Sequence, residues 1–284
     1  MNSDKCPGDL GFSSQPSAAV RQGNTGSGSV TFDRAADFYD RTRELPTELA
    51  EAQTRLLHEQ LNGTKRCLEI GVGTGRIALP LAQVGVDMTG IDLSIPMLER
   101  LLAKESTAVP VAVADARRLP FAANTFDAVL ACHVLHLVAD WPAAVEDALR
   151  VLRPGGTFLV SQGGRAGDVR ASDLRRRLSE AAGLAEGADR VGLRDLAELD
   201  EHCAGRGITV RRLPMLSHTR RWTVAQFLEQ TGEGCYSWTW DIDPSTLHRA
   251  VAAVRTWAEQ EWGDLTATAL GSTTVTWHAY SRPA

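Results

Sequence analysis

Three glycines at alternate positions, directly after a short apolar segment, constrain the fold of this chain more than any other feature. Residues 66–76 read R-C-L-E-I-G-V-G-T-G-R, and the helix-forming residues 77–82 follow. Glycine permits backbone angles that are closed to other residues and lets a ligand lie against the main chain. The N–H groups at the start of the following helix point into the same turn. This strand–turn–helix unit predicts a site for a nucleotide-like ligand, although an ordinary turn without a ligand has the same local pattern.

The residues around the glycines indicate which ligand fits. A dinucleotide fingerprint needs G-x-G-x-x-G, and Arg76 stands where the third glycine of that pattern would fall. Glu69 ends the strand, where its carboxylate would repel a pyrophosphate but suits an ammonium group. S-adenosylmethionine offers an ammonium group and no phosphate. The segment resembles motif I of the class I S-adenosylmethionine-dependent methyltransferases.

A second acid follows the glycine turn at a suitable distance. Residues 86–92 read as a strand that ends in Asp92, roughly 20 residues beyond the turn, where a carboxylate reaches a ribose hydroxyl in such folds. The next helix begins after Ser94, a residue suited to cap it. We expect Asp92, Leu93 and Met97 to contact the ligand.

A third acid follows a third predicted strand, residues 109–114. Asp115 could accept a hydrogen bond from the exocyclic amine of adenine, and Ala116 could donate its backbone N–H. The fourth predicted strand, residues 126–132, is almost entirely apolar, as expected of a strand buried on both faces. The fifth, residues 157–161, follows a helix that ends at two glycines.

The order of these motifs points to one family. The glycine turn, the two acids, D-A-x-x-L-P-F, F-D-A-V and L-x-P-G-G together resemble the type 11, small-molecule branch of the class I methyltransferases. The resemblance runs from about residue 32 to residue 161. It implies a Rossmann-like sheet of seven strands, the last one antiparallel, flanked by helices. It also implies S-adenosylmethionine as cofactor and in-line methyl transfer to the O, N or C atom of a small, largely apolar or aromatic metabolite.

The same resemblance implies the residues of the cofactor site. Tyr39 would close over the bound cofactor, and Glu69 would lie near its ammonium end. The remaining expected cofactor contacts are Gly71, Gly73, Gly75, Asp92, Leu93, Met97, Asp115, Ala116, Cys132 and His133. A Tyr39 that merely packs a helix against the sheet rim is the competing interpretation.

Composition divides the chain into a tail and a domain. Residues 1–30 are rich in Gly, Ser, Gln and Asn and poor in large apolar groups, so we expect disorder there. The methyltransferase domain is then expected over residues 31–284. Its predicted parts are N-terminal cap helices (31–62), a cofactor-binding core (65–164) and lid segments (about 165–192 and 222–263).

The C-terminal part carries an insertion. Between a predicted sixth strand, residues 208–216, and a predicted final strand, residues 274–281, lie about 55 residues, too many for a hairpin. Five of the seven tryptophans fall there. They predict either a lid that encloses the acceptor or a satellite core. Tyr236 and Trp238, which follow a glycine outside any helical pattern, are the predicted substrate-binding residues.

His133 is the candidate catalytic residue, because it follows the fourth strand at the edge where such sheets bind ligands. It could contact the methionyl group or act as a base. His218, Tyr236 and Asp241 are other possible bases. A metal site is not expected, because the five cysteines are scattered without metal-ligand spacing.

Charge and hydropathy restrict the partners. A net charge of −5 gives no general attraction to nucleic acid, and no apolar run approaches the ~20 residues of a membrane span. No secretion signal is apparent, so we expect a cytoplasmic enzyme with a small-molecule substrate and an undetermined oligomeric state. The arginine run 175–177 is expected to be solvated.

Two alternatives stay open at this point. One is a nicotinamide-dependent dehydrogenase, which Arg76 and Glu69 disfavour. The other is a non-catalytic S-adenosylmethionine-binding regulator or scaffold, since intact binding motifs do not prove catalysis.

Overall fold

The computed structural model describes Ser29 and residues 31–105, 108–162, 169–184 and 191–284. The expected tail, residues 1–30, lies outside the described part except for Ser29. Parts of the first expected lid segment lie outside it as well.

A seven-stranded sheet forms the centre of the structure, in the order β3-β2-β1-β4-β5-β9-β6. The strands are β1 Cys67–Ile70, β2 Met88–Asp92, β3 Val111–Val113, β4 Phe126–Cys132, β5 Leu152–Ser161, β6 Thr209–Arg212, β7 Leu216–Trp222, β8 Ala269–Val275 and β9 Trp277–Ser281. Strands β1 to β5 run parallel, whereas β9 pairs antiparallel with β5 on one side and β6 on the other. This confirms the expected Rossmann-like methyltransferase sheet with its antiparallel last strand.

Helices cover both faces of this sheet. They are α1 Tyr39–Arg43, α2 Thr47–Gln60, α3 Ala78–Gln83, α4 Ile95–Lys104, α5 Trp141–Val151, α6 Val169–Ala181, α7 Leu196–Ala204, α8 Val224–Gly232 and α9 Pro244–Trp262. One apolar core contains residues of α5 and α7, and a second contains residues of α2, α3 and α4. Because both faces are covered, most residues of β1, β2 and β4 are buried.

The expected single strands at 208–216 and 274–281 are wrong in extent, because each expected range contains residues of two separate strands. Strand β6 ends at Arg212 and β7 begins at Leu216, and β7 pairs with β8 in a separate two-stranded sheet. Pro214 lies in the gap and has no N–H to donate to a strand ladder. The chain therefore leaves the main sheet there and continues as an antiparallel ribbon that carries α8 and α9 at its far end.

The insertion packs with α6 in a third apolar cluster. Its buried members are Leu174, Leu178, Trp222, Val224, Leu228, Val254, Ala258 and Leu265. Trp257 and Trp262 pack against this cluster and meet edge to face, with ring centroids 4.8 Å apart. A satellite core thus accounts for Trp222, Trp257 and Trp262, whereas Tyr236 and Trp238 lie at a separate turn, residues 237–239, whose position is described below.

Candidate cofactor and acceptor site

A pocket opens at the C-terminal ends of β1, β2 and β4, on the edge where the glycine turn lies. Its lining includes all the expected cofactor residues apart from Glu69 and Gly75. The expected residues that line it are Tyr39, Gly71, Gly73, Asp92, Leu93, Met97, Asp115, Ala116, Cys132 and His133. Phe32, Val134, Leu137 and Val138 add an apolar rim that was not among the expected residues, and Ser29 also lines the pocket.

The glycine turn leaves room for a ligand by lacking side chains. Gly71 has φ +70°, and a Cβ atom there would lie 2.6 Å from Cγ2 of Val134. Gly75 has φ +82°, but its close neighbours are Leu79 and Leu101, the nearest atom being 2.8 Å from a built Cβ. Gly75 therefore lets helices pack against the turn, and Gly71 belongs to the pocket wall.

Asp92 shapes the same turn through its carboxylate. One oxygen accepts a hydrogen bond from the backbone N–H of Gly73 at 2.9 Å, and the other accepts from Ser94 at 2.8 Å. Burial raises the pKa of Asp92, and these backbone hydrogen bonds oppose that rise. A carboxylate held from two sides is a preorganised acceptor for hydroxyl groups.

Asp115 is held by its own neighbour. The guanidinium of Arg117 donates to it at 2.7 Å, and the Arg117 backbone N–H donates at 2.9 Å. Burial alone would raise the pKa of Asp115, but the hydrogen bonds from Arg117 outweigh it and hold the pKa below its ordinary value. Asp115 is thus an ionised acceptor at the pocket wall.

Glu69 lies below the pocket rather than in it. The residue is only 2% exposed, and its Oε2 atom has no hydrogen-bond partner among the described residues. Burial raises the pKa of Glu69 well above its ordinary value, while a backbone hydrogen bond from Ala78 and the charge of Arg76 lower it. The unpartnered oxygen makes Glu69 a buried acceptor next to the glycine turn.

Arg76 is a site residue that the sequence analysis used only as an argument against a dinucleotide. Its guanidinium carbon lies 5.8 Å from the centroid of the Tyr39 ring. Burial raises the pKa of the Tyr39 hydroxyl, and the charge of Arg76 and a hydrogen bond from it act in the opposite direction. The charge of Arg76 also acts to lower the pKa values of Glu69, Cys132 and His133. Its position directly after the third glycine was the signal available in the sequence.

The N-terminal cap is fastened to the glycine turn. The Thr74 hydroxyl donates to Asp40 at 2.5 Å, and Lys104 forms an ion pair with the same carboxylate at 2.7 Å. Phe32 meets Tyr39 edge to face, with ring centroids 5.7 Å apart. Helix α1 thereby holds Tyr39 at the pocket.

His133 stands at the end of β4 in an unusual backbone conformation. Its φ is +53°, which is rare for a residue with a side chain. Burial, followed by the charges of His136, Arg76 and Arg43, lowers the pKa of His133 to about 3. Its imidazole is therefore neutral at physiological pH and can accept or donate a hydrogen bond.

The neighbouring Cys132 and His136 are also uncharged. Burial raises the pKa of the Cys132 thiol to about 12. Burial, with the charges of Arg43 and Arg175, lowers the pKa of His136 to about 4, and the Nδ1 atom of His136 has no partner among the described residues. In the part of the chain that the structure describes, no group of three or more His, Cys, Asp or Glu residues could hold a metal ion.

The predicted substrate residues Tyr236 and Trp238 do not line the pocket itself. They stack on each other, with ring centroids 6.5 Å apart and an interplanar angle of 17°. The Tyr236 hydroxyl donates to Gln230 at 2.9 Å, and the side chain is 8% exposed. Trp238 also packs against the satellite core.

The cap joins this aromatic turn to the pocket. Arg34 donates to the backbone oxygen of Trp240 at 3.0 Å, and Arg43 donates to that of Cys235 at 3.0 Å. Phe32, which lines the pocket, also packs edge to face on Trp240 at 4.8 Å. We refer to residues 31–43 and 235–240 together as the roof.

Comparison with known proteins identifies the domain. The sequence model of the methyltransferase domain family, type 11, matches residues 68–160, which include the glycine turn, Asp92, Asp115 and His133. Residues 68–160 therefore carry a methyltransferase domain of type 11, the family that the sequence motifs resemble. This family is not a nicotinamide-dependent one, and the dehydrogenase alternative is set aside.

Individual relatives agree with this assignment. The demethylmenaquinone methyltransferase of Streptomyces avermitilis is 31% identical over 137 residues, which are 46% of this chain and 58% of that protein. The biotin biosynthesis bifunctional protein BioHC of Cellvibrio japonicus is 31% identical over 131 residues, which are 46% of this chain and 26% of that protein. The chain thus spans little more than half the length of the demethylmenaquinone methyltransferases that it matches.

A solved structure supports the fold over a longer stretch. The YcgJ protein from Bacillus subtilis has a TM-score of 0.57 at 16% identity, and the match covers 82% of this chain and 99% of that one. Among the described residues, no helix is both long enough and apolar enough to cross a membrane.

Proposed function

We propose that this chain transfers the methyl group of S-adenosylmethionine to a small, largely apolar or aromatic metabolite. When bound, S-adenosylmethionine supplies a methyl group that is activated by its sulfonium. The observation that carries the proposal is the convergence of Asp92, Asp115 and Tyr39 on one pocket beside the Gly71 turn. This arrangement offers acceptors for an adenosine at one end and an aromatic cover at the other.

The adenosine end of the pocket is defined by its two acids. Asp92 would accept from the ribose hydroxyls, because its carboxylate is already oriented by Gly73 and Ser94. Asp115 and Ala116 would take the edge of the adenine. A carboxylate offers about four lone-pair positions, so Asp115 can accept from adenine while it binds Arg117. The buried side chain of Met97 would pack on the adenine.

The other end has the charges that an amino-acid group requires. We assign Arg76 to the methionyl carboxylate, because its guanidinium lies beside the ring of Tyr39, which lines the pocket. Glu69 would favour the ammonium through the buried oxygen that has no partner among the described residues. A guanidinium for the carboxylate and a buried carboxyl oxygen for the ammonium together match the amino-acid group.

At the transfer point the protein chiefly aligns the two reactants. His133 and Cys132 lie at the end of β4, and both are uncharged in a largely desolvated position. Alignment and exclusion of water are the main contributions that a protein makes when the cofactor carries the activated group. We retain His133 as the candidate catalytic residue. Because its pKa is about 3, it would orient the acceptor through a hydrogen bond and would remove a proton only from an acidic acceptor.

Catalysis can be tested without knowledge of the acceptor. The chain is incubated with cell extract and methyl-labelled S-adenosylmethionine, and labelled products are sought by untargeted mass spectrometry. We expect a labelled small molecule, which is lost with Arg76→Ala and partly retained with Arg76→Lys. Binding of S-adenosylhomocysteine by calorimetry without any labelled product would instead favour a non-catalytic regulator or scaffold.

A further inference from the structure

Two arginines from distant segments lie against the aromatic pair of the roof. The guanidinium carbon of Arg43, in α1, is 5.3 Å from the centroid of the Tyr236 ring. The guanidinium carbon of Arg175, in α6, is 5.8 Å from the centroid of the Trp238 ring. Since Tyr236 and Trp238 stack on each other, the two cationic groups are held beside one aromatic platform.

A histidine that follows β4 lies within the electrostatic reach of both arginines. Burial lowers the pKa of His136, which lies three residues after His133, and the charges of Arg43 and Arg175 lower it further. The Nδ1 atom of His136 is buried and has no hydrogen-bond partner among the described residues. The charges of Arg43 and Arg175 thus act on a buried histidine whose Nδ1 atom has no partner among the described residues, and the neighbouring Leu137 and Val138 line the pocket.

These charges are separate from the one assigned to the cofactor. The charge of Arg76 lowers the pKa values of Tyr39, Cys132 and His133, all of which line the pocket. The charge of Arg175 lowers the pKa of His136, and its guanidinium lies against Trp238 of the roof. The charge of Arg43 lowers the pKa values of Tyr39 and of both histidines. Neither Arg43 nor Arg175 is among the residues that line the pocket.

We propose that the methyl acceptor carries an anionic group, a carboxylate or a phosphate, that is bound by Arg43 and Arg175 beside His136. The proposal rests on the proposed function, since it concerns the acceptor of that reaction. Arginine binds both kinds of anion through two parallel hydrogen bonds, which lysine cannot do. A neutral imidazole can donate one further hydrogen bond. The stacked rings of Tyr236 and Trp238 would contact the apolar part of the same molecule.

The experiment uses the full chain saturated with S-adenosylhomocysteine and three probes that share one ring system. The probes are 1-naphthoate, 1-naphthyl phosphate and the uncharged 1-naphthalenemethanol, titrated by calorimetry and ligand-observed NMR. We expect at least one anionic probe to bind about 10-fold more tightly than the alcohol. Preference for naphthoate identifies a carboxylate site, and preference for the phosphate identifies a phosphate site.

Variants assign the binding to the two arginines. Arg175→Gln should weaken the anionic probe about 10-fold and leave the alcohol unchanged. Arg43→Gln should act in the same direction, and Arg43→Lys should retain part of the affinity. Arg176→Gln is the matched control, because Arg176 is next in the same helix but pairs with Glu180 and Asp173.

The outcomes separate this inference from the proposed function. If S-adenosylhomocysteine binds but the alcohol binds as tightly as both anions, the anion site is refuted and the cofactor assignment stands. Equal losses in Arg175→Gln and Arg176→Gln would also refute it, since a general surface charge would then suffice. Failure of S-adenosylhomocysteine to bind the wild-type chain would overturn both. If Arg175→Gln weakens the anionic probe but leaves the affinity for S-adenosylhomocysteine unchanged, the substitution has removed a contact to the acceptor and not to the cofactor.

Discussion

The floor and the roof of the pocket are built in different ways. The floor consists of the glycine turn and the ends of β1 to β4, where backbone groups and short side chains emerge from a sheet that is buried on both faces. The roof consists of longer side chains from two segments that are far apart in sequence; the Arg43–Cys235 hydrogen bond joins residues separated by 192 positions. The floor is therefore fixed by local sequence, whereas the roof exists only after the chain has folded.

The two regions also differ in charge. Asp92 and Asp115 line the floor, whereas Arg43 and Arg175 lie against the aromatic pair of the roof. Carboxyl groups in the floor suit the hydroxyl and amine groups of a ligand, and the two guanidinium groups at the aromatic pair suit an anion. Cofactor recognition and acceptor recognition are accordingly expected to respond to different substitutions.

The largest loss of cofactor affinity is expected from a substitution that changes the backbone of the floor. In Gly71→Ala the new Cβ would lie 2.6 Å from Val134 Cγ2, at a φ of +70°. We expect loss of S-adenosylhomocysteine binding by more than about 100-fold, because both the turn and the pocket wall must shift. Calorimetry measures the affinity, and thermal unfolding measures the accompanying loss of stability.

Gly85→Ala is the matched control for this change. Gly85 has φ +92°, but a Cβ there would have nothing within 4 Å. It should lose about 1–2 kcal/mol of stability from the backbone conformation alone and keep its cofactor affinity. Equal effects of the two substitutions on binding would mean that the turn is not the cofactor site.

The second largest loss of cofactor affinity is expected from removal of the Asp92 side chain, which shapes the floor. Asp92→Ala removes the acceptor for the Gly73 and Ser94 N–H groups and the proposed ribose contact. We expect a loss of about 1.5–3 kcal/mol in S-adenosylhomocysteine binding, which is roughly 10- to 150-fold in affinity. Asp92→Asn, which keeps one acceptor oxygen, should lose less. Unchanged affinity in Asp92→Ala would contradict the ribose assignment.

The floor could be predicted from the sequence for a physical reason. Asp92 and Asp115 each directly follow a strand that is recognisable by its apolar residues, and parallel strands place their C-terminal ends on one edge. Gly75 shows the limit of this reasoning, because a motif glycine can serve helix packing rather than the ligand. The fold class followed from the same alternation of strands and helices.

The roof could be predicted only in part. The density of aromatic residues predicted an elaboration between the last two strands, but not that Pro214 diverts the chain into a ribbon. The arginine run 175–177 was expected to be solvated, and Arg176 and Arg177 do pair with Asp173 at the surface. Nothing local distinguishes Arg175 from these neighbours, because its contact with Trp238 depends on how α6 packs.

The third prediction tests whether the roof serves the acceptor. Trp238→Ala should lower turnover of the acceptor about 10-fold and leave S-adenosylhomocysteine affinity nearly unchanged, because Trp238 lies outside the cofactor pocket. Trp257→Ala is the matched control, since Trp257 packs on the satellite core as Trp238 does but lies in α9, outside the roof. It should lower the unfolding temperature without affecting turnover of the folded fraction. Equal losses of turnover and cofactor affinity in Trp238→Ala would show that floor and roof act as one unit.

The smallest expected effect lies at the bond that joins the two regions. Asp40 connects α1 to the glycine turn through Thr74 and Lys104, and its side chain is 43% exposed. An ion pair this exposed contributes about 0.2–1 kcal/mol, so Asp40→Asn should weaken S-adenosylhomocysteine roughly 2- to 5-fold. Asp37→Asn is the control, because Asp37 is more exposed and pairs with Arg100. Its affinity should match that of the wild-type chain.

The same bond has a predictable pH dependence. Burial alone would raise the pKa of Asp40, but hydrogen bonds from Lys104 and Thr74 and the charges of Lys104 and Arg76 hold it below its ordinary value of 3.8. A carboxyl group whose pKa is lowered by folding contributes stability above its unfolded pKa and loses it as the pH falls through the folded pKa. The difference in unfolding free energy between wild type and Asp40→Asn should therefore be constant from pH 5 to 7 and shrink below about pH 4. A difference that grows on acidification would mean that Asp40 does not hold the cap as an ionised group.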